Sequence, residues 1–183
     1  TPEILPGDVV GYTVINRETG KTEYRPGAAL CNLFLADEIN RTSSKTQSAL
    51  LEAMEEGSIT VDGTTHIIPR PYTVIATQNP IGSTGTQLLP ESQMDRFIIK
   101  ISIGYPSIND EVRILKQKQG QNPLDNVGKV ADKNDIIEMQ KSVENIYISD
   151  EVYEYIARLA AATRNSPMIK MGASPRASIA LAR

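Results

Sequence analysis

Two adjacent carboxylates, Asp37 and Glu38, come directly after the apolar run Leu33-Phe34-Leu35-Ala36. An apolar stretch from Leu30 to Ala36, too short for a helix and bounded by polar residues, suits a strand buried on both faces. In open α/β proteins a parallel strand delivers the residues after it to the sheet edge where ligands bind. The chemistry on offer there is phosphate chemistry: Asp37 can hold Mg²⁺ through water, and Glu38 can polarise a water for attack on a phosphate. The same pair can also simply cap the next helix, and on these two residues alone both readings stand.

Three further positions bear on the choice. The β-rich run from Tyr72 to Gln78 ends in a polar side chain, Asn79, before Pro80. If this strand lies parallel to the first, Asn79 falls beside Glu38, where an amide can orient the attacking water; in isolation Asn79 can equally make the turn before the proline. Arg96 leads from Glu91-Ser92-Gln93-Met94-Asp95 into a third apolar run, Phe97 to Ile103. Its planar fork suits phosphate oxygens, and the competing expectation is a surface ion pair with Asp95 or Glu91. Arg176, in Gly172-Ala173-Ser174-Pro175-Arg176, falls in the first turn of a helix, where the dipole disfavours a cation. An anion is therefore expected to compensate it, either a nucleotide or a plain carboxylate.

The surrounding pattern predicts the helices and strands that carry these residues. Val9 to Pro26 reads as strand, polar turn and strand, with Glu18-Thr19-Gly20-Lys21 at the tip. Ser43 or Ser44 to Glu56 is a capped helix closed by Gly57, with Ala49, Leu50, Ala53 and Met54 on one stripe. Asp62-Gly63 between two β-rich runs signals a tight hairpin. Ile81 to Thr86 is a Gly/Ser/Thr loop, Pro90 to Arg96 a short helix and Phe97 to Ile103 a third buried strand. Gly104-Tyr105-Pro106 breaks the pattern, and the spacing beyond it is helical over Asn109 to Gln119, Asp135 to Val143 and Asp150 to Thr163. A last helix starts at Ser174-Pro175.

Composition narrows the function classes. With 183 residues and 40% hydrophobic content, one compact domain and a smaller satellite can bury a core. A net charge of −3 built from mixed signs offers no basic face for nucleic acid. No apolar run approaches the ~20 residues of a membrane-spanning helix, so no membrane insertion is expected, and the cytoplasm is the expected location. The single Cys31 reads as a small buried hydrophobe, and the lone His66 as a surface histidine on a hairpin without metal-ligand companions. A chain opening on Thr1 and stopping at Arg183 within helix-forming sequence is expected to be cut at both ends.

Together these features resemble the AAA+ ATPases. Asp37-Glu38 is similar to a Walker B motif, Asn79 to sensor 1, Arg96 to the arginine finger and Arg176 to sensor 2. The connecting text resembles the MoxR branch nearly end to end: Ala36-Asp37-Glu38-Ile39-Asn40-Arg41, Gln47-Ser48-Ala49-Leu50-Leu51-Glu52-Ala53-Met54, Ala76-Thr77-Gln78-Asn79-Pro80 and Gly172-Ala173-Ser174-Pro175-Arg176. The resemblance implies an α/β fold with the parallel sheet of P-loop NTPases, partial over residues 1–104, then a small all-helical lid over residues 105–183. It makes the first hairpin an insertion in the second helix and the Asp62-Gly63 hairpin the one before sensor 1, both directed toward a ring's pore or partner face.

The implied activity is ATP hydrolysis with Mg²⁺, in a homo-oligomeric, hexameric ring. The implied task is chaperone-like remodelling of proteins, and the resemblance implies rings that work with partners carrying a von Willebrand factor A-type domain. The family's Gly-rich phosphate loop would lie upstream of Thr1, and no such sequence occurs in these residues, so this piece alone is expected to grip ATP poorly. The strand feeding that loop would lie between the strand ending at Asn79 and Phe97 to Ile103, and without it two open sheet edges are expected to invite association. Two alternatives come from other classes. A non-hydrolysing regulatory or scaffold subunit would have no need for Glu38, Asn79, Arg96 and Arg176 together, and a DNA motor of the related helicase branch would call for a basic stripe.

Overall fold

The computed structural model describes residues 4–79, 88–117 and 123–183. Its centre is the helix α2 (Ser44–Glu56). Ser43 caps it, its hydroxyl accepting from the Thr46 N–H at 3.2 Å, and Gly57 ends it in the left-handed conformation at φ 61° that a residue with a side chain adopts at a cost. Leu50, Leu51 and Ala53 on its inner stripe are buried with Val9, Ala29, Ile39, Ile59, Ile68 and Leu89. This cluster is the core for the elements up to Phe97, with Phe34, Val74, Met94 and Phe97 packed against it.

Two short strands, β3 (Leu33–Ala36) and β6 (Thr73–Ala76), pair in parallel with Leu33 opposite Thr73 and Ala36 opposite Ala76. Their register is fixed at the entry by Asn32, whose side-chain amide donates to the Pro71 carbonyl at 2.9 Å, while its own carbonyl accepts from the Thr73 N–H at 2.9 Å. Phe34, Ala36, Val74 and Ala76 face the core, whereas Leu33 and Leu35 are 62% and 63% exposed and Ile75 is also exposed. The expectation of a strand buried on both faces is thus corrected: among the described residues only one face is covered. Cys31 lies before β3 rather than inside it and is half-buried. Its thiol donates to the Leu33 carbonyl at 3.3 Å, and burial raises its pKa.

Two antiparallel hairpins flank this unit. The first joins β1 (Tyr12–Ile15) to β2 (Thr22–Arg25), and its tip is wound around the Asn16 side chain, which accepts from the Glu18 and Thr19 N–H groups at 2.9 and 3.1 Å. Val9, expected within the first strand, instead lies buried in a short helix, α1 (Pro6–Val10). Pro6 in the first turn and the Asp8 carboxylate accepting from the Leu5 N–H at 2.8 Å favour helix over strand there. The second hairpin joins β4 (Ser58–Val61) to β5 (Thr64–Ile67) through Asp62 and Gly63, at φ 49° and 79°, the pair of left-handed residues that such a two-residue turn needs. Its His66 ring stacks on Tyr24 of the first hairpin with centroids 3.6 Å apart, so this histidine is half-buried rather than a bare surface residue.

After a short helix α3 (Glu91–Met94), the run Phe97 to Ile103 does not form the expected strand. A strand needs a hydrogen-bonding neighbour, and none of the described strands pairs with it; Ile98, Ile99 and Ile101 are exposed and Ile103 is 92% exposed. The expected loop at Ile81 to Thr86 lies outside the described residues. From Ile108 onward the described structure is helical: α4 (Ile108–Gln117), α5 (Lys133–Glu144), α6 (Asp150–Asn165) and α7 (Pro175–Leu181). Asp132 and Asp135 cap α5 reciprocally, the first accepting from the Asn134 N–H at 2.8 Å and the second from the Asp132 N–H at 2.7 Å. The apolar spacing of α6 is realised as helix, yet Val152, Tyr155 and Leu159 stay largely exposed and Ala160 is its buried contact.

The approach to α7 depends on a glycine. A Cβ on Gly172 would stand 2.4 Å from the Arg164 Cα, so only a residue without a side chain lets this segment rest on α6. The contact is completed by the Arg164 Nε donating to the Ala173 carbonyl at 2.7 Å and by the Ala173 N–H donating to the Thr163 hydroxyl at 2.8 Å. Ser174 then caps α7, and Arg176 lies in its first turn.

Candidate functional site

The carboxyl ends of β3 and β6 bring the first group of residues together. Past the last paired residues the ladder continues: the Thr77 N–H donates to the Ala36 carbonyl at 3.0 Å, and the Ile39 N–H to the Thr77 carbonyl at 3.0 Å. Between these bonds the chain turns sharply at Glu38, whose φ of 50° is unusual for a residue with a side chain and costs about 1 kcal/mol or more where it occurs. The Thr77 hydroxyl supports the turn twice, accepting from the Glu38 N–H at 2.8 Å and donating to Asp37 Oδ1 at 2.5 Å. Asn79 reaches Glu38 as the parallel register requires, its Nδ2 donating to Oε1 at 3.4 Å, a long hydrogen bond. Glu38 Oε2 is held from the other side by Arg41 Nε at 3.1 Å.

The donor set fits a magnesium ion that is carried mainly by phosphate oxygens and water. Such an ion needs one or two carboxylates from the protein. Asp37 is exposed, and its Oδ2 has no protein partner among the described residues, with Glu38 next to it in sequence. Among the described residues no cluster of three or more His, Cys, Asp or Glu is arranged to hold a metal by itself.

The two arginines form a second group at the opposite end of α2. Arg96 Nη1 donates to the Leu51 carbonyl at 3.3 Å and to Glu55 Oε2, and Arg176 Nη2 donates to Glu55 Oε1. One carboxylate thus gathers both cations, with Asp95 Oδ2 4.0 Å from Arg176 Nη1 as a looser third partner. The expected ion pair of Arg96 with Asp95 or Glu91 is corrected: its partner is Glu55, while Glu91 pairs with Lys170 at 3.2 Å. The anion compensating Arg176 is, in this structure, a plain carboxylate. Glu55 lies in the last turn of α2, whereas Glu38 precedes that helix and is bonded to Asn79 and Arg41, so the described hydrogen bonds and ion pairs leave the arginine cluster and Glu38 in separate groups. Beside the cluster lies an open cleft of about 280 Å³ lined by Ser48, Leu51, Glu52, Glu55, Gln93 and Arg96.

Sequence reasoning missed four participants: Thr77, Asn40, Arg41 and Glu55. The first two had a readable signal, since parallel pairing of Ala36 with Ala76 sets the residues just past each strand against one another. Asn40 is 1% exposed; its Nδ2 donates to the Asn79 carbonyl at 3.0 Å and its Oδ1 accepts from the Asn79 N–H at 3.1 Å. Glu55 had none, because its partners lie 41 and 121 residues away.

Residues 1–99 match the family described as the ATPase family associated with various cellular activities (AAA). An uncharacterised Bacillus subtilis protein, YeaC, is 50% identical over 181 residues, which cover 99% of this chain and 57% of that protein. The chaperone MoxR1 of Mycobacterium tuberculosis is 36% identical over 190 residues, covering 99% of this chain and 50% of its own length. A crystal structure from Cytophaga hutchinsonii, provisionally assigned as an ATPase, superposes with a TM-score of 0.84 at 38% identity, covering all of this chain and 58% of that one. The chain therefore spans about half the length of the curated relatives it matches.

Proposed function

This chain belongs to the MoxR-type AAA+ ATPases, and we propose that the whole protein hydrolyses ATP with Mg²⁺ at the carboxyl ends of β3 and β6. The observation that carries the reading is the Asn79–Glu38 contact of 3.4 Å at the end of two parallel strands, beside an exposed Asp37. Glu38 polarises the attacking water and takes its proton, Asn79 orients that water, and Asp37 would hold the ion. Bound Mg²⁺ supplies neutralisation of the charge that develops on the phosphate oxygens. Arg41 draws on the same carboxylate through Oε2, and the Glu38 side chain stays partly open to water beside it.

Arg96 and Arg176 are proposed to meet the nucleotide of a neighbouring subunit. Both are drawn to Glu55 while Glu38 is engaged by Asn79 and Arg41, and on this reading Arg96 is the arginine finger and Arg176 is sensor 2. The proposal accordingly includes a homo-oligomeric ring, taken as hexameric, with residues 1–104 as its α/β core and 105–183 as its helical lid. Its work is chaperone-like remodelling of client proteins, carried out together with a partner that bears a von Willebrand factor A-type domain, in the cytoplasm where ATP is plentiful. No helix among the described residues is long and apolar enough to cross a membrane.

The test is Glu38→Gln in the full-length protein. The amide keeps size and most hydrogen bonding but removes the base, so the variant should bind ATP·Mg²⁺ and lose at least about 10²-fold in hydrolysis. Hydrolysis at the parental rate would remove Glu38 from the proposed role.

A further inference from the structure

We propose that Asn40 is a positioning residue for hydrolysis: it fixes the backbone of Asn79 and thereby aims the Asn79 amide at Glu38, an inference that rests on the roles proposed above for those two residues. The parallel ladder between the two strands runs out at the Ile39 N–H to Thr77 carbonyl bond. Asn79 lies two residues beyond Thr77, and both of its backbone groups are engaged by one side chain, with Asn40 Nδ2 donating to its carbonyl at 3.0 Å and Asn40 Oδ1 accepting from its N–H at 3.1 Å. The carboxamide of Asn40 has the donor and acceptor of a peptide group in one plane, so it acts as a further rung of the ladder. Aspartate lacks the donor and alanine lacks both.

The position is demanding. Asn40 is 1% exposed, in the turn Ile39–Arg41 beside the core residue Ile39, where an amide is tolerated only with its hydrogen bonds made. The bonds it makes are to the residue whose side chain approaches Glu38 Oε1, and they arise two residues along the chain from Glu38 itself. Asn40 thus ties the two strand ends to each other at the level where their functional side chains meet. A displacement of about 1 Å in a positioned group lowers a rate by about 10²-fold, which sets the scale of effect expected when this tie is cut.

A double-mutant cycle separates this role from a purely structural one. In the full-length protein, Asn40→Ala, Asn79→Ala and the double variant are compared for ATP turnover, binding of ATP·Mg²⁺ and melting temperature. Asn79→Ala leaves its backbone in place, so the stability lost on Asn40→Ala should be equal with and without the Asn79 side chain. The rate should behave otherwise: Asn40→Ala lowers kcat about tenfold or more with nucleotide affinity little changed, and in the Asn79→Ala background it changes kcat by less than about twofold. Equal losses of kcat in both backgrounds would overturn the proposal and leave Asn40 a structural residue. Should Asn40→Ala not fold, Asn40→Asp, which keeps the acceptor for the Asn79 N–H, carries the same comparison. Asn79→Ala turning over at the parental rate would remove the reading of Asn79 and this inference with it; a slow Asn79→Ala beside a parental Asn40→Ala would overturn the inference alone.

Discussion

The Glu38–Asn79 end of the sheet and the Arg96–Arg176 cluster both bring charged and polar side chains together across long stretches of sequence, yet they are held by different forces. At the sheet end the strand ladder, the Thr77 hydroxyl and the buried Asn40 amide fix main chain to main chain, and the functional groups ride on that frame. At the other end of α2 the contacts are made by side chains, with one bond from Arg96 Nη1 to the Leu51 carbonyl: Glu55, Arg96 and Arg176 are all partly exposed, and Arg96 Nε is buried without a partner among the described residues. The first arrangement is built to stay. The second can be rearranged when a stronger anion arrives, because exposed ion pairs contribute little and are screened by salt.

The largest effect expected to separate the two regions is on rate. An arginine finger is worth roughly 10³ to 10⁵ in turnover, or about 4 to 7 kcal/mol, against about 0 to 1 kcal/mol for a surface ion pair. Arg96→Ala in the full-length protein should therefore nearly abolish hydrolysis while leaving ATP binding and the melting temperature close to parental. A variant that keeps its turnover would reduce Arg96 to the Glu55 ion pair.

Stability gives the next largest difference. Asn40→Ala removes a buried side chain that satisfies two backbone groups and should cost about 1 to 3 kcal/mol in denaturant unfolding. Glu55→Ala removes a partly exposed carboxylate and should cost no more than about 1 kcal/mol, less in high salt. If Glu55→Ala proves the more damaging, the arginine cluster is a structural clasp and the contrast fails.

The smallest effect is expected at Tyr72, on the chain entering β6. Its hydroxyl is buried without a partner among the described residues, and burial, with Cys31 nearby, pushes its pKa up to about 12. The neutral form is thus favoured in the folded state relative to an unfolded value of about 10, so this contribution is complete below pH 10 and is lost as pH rises through about 12. Tyr72→Phe should raise stability at neutral pH by up to about 1 kcal/mol and flatten the alkaline side of a stability–pH curve.

The same division explains what could be read from the sequence. Helix α2 was legible from Ser43 and Gly57, and the second hairpin from Asp62-Gly63, because caps and tight turns are local chemistry. Asn79 could be set beside Glu38 because parallel pairing of two apolar runs leaves few choices of register. The run Phe97 to Ile103 shows where such reasoning stops: its composition suits a strand, but strand formation requires a partner that its own residues cannot provide. Val9 failed for the opposite reason, since Pro6 and Asp8 outweighed its β preference locally. Glu55 was illegible because a carboxylate late in an amphipathic helix reads as solvent-facing whether or not two distant arginines converge on it.

On the proposed reading, the two regions serve different active sites of one ring, the carboxylates their own subunit's nucleotide and the arginines a neighbour's. Mixing full-length Arg96→Ala subunits with Glu38→Gln subunits under exchange conditions puts that division to the test. Each variant alone should be close to inactive. In a mixed ring an Arg96→Ala subunit keeps its own Glu38 and can receive an intact Arg96 across the boundary, so part of the parental hydrolysis should return. Mixed rings that demonstrably form and remain as inactive as either variant would contradict the division of roles between the two regions.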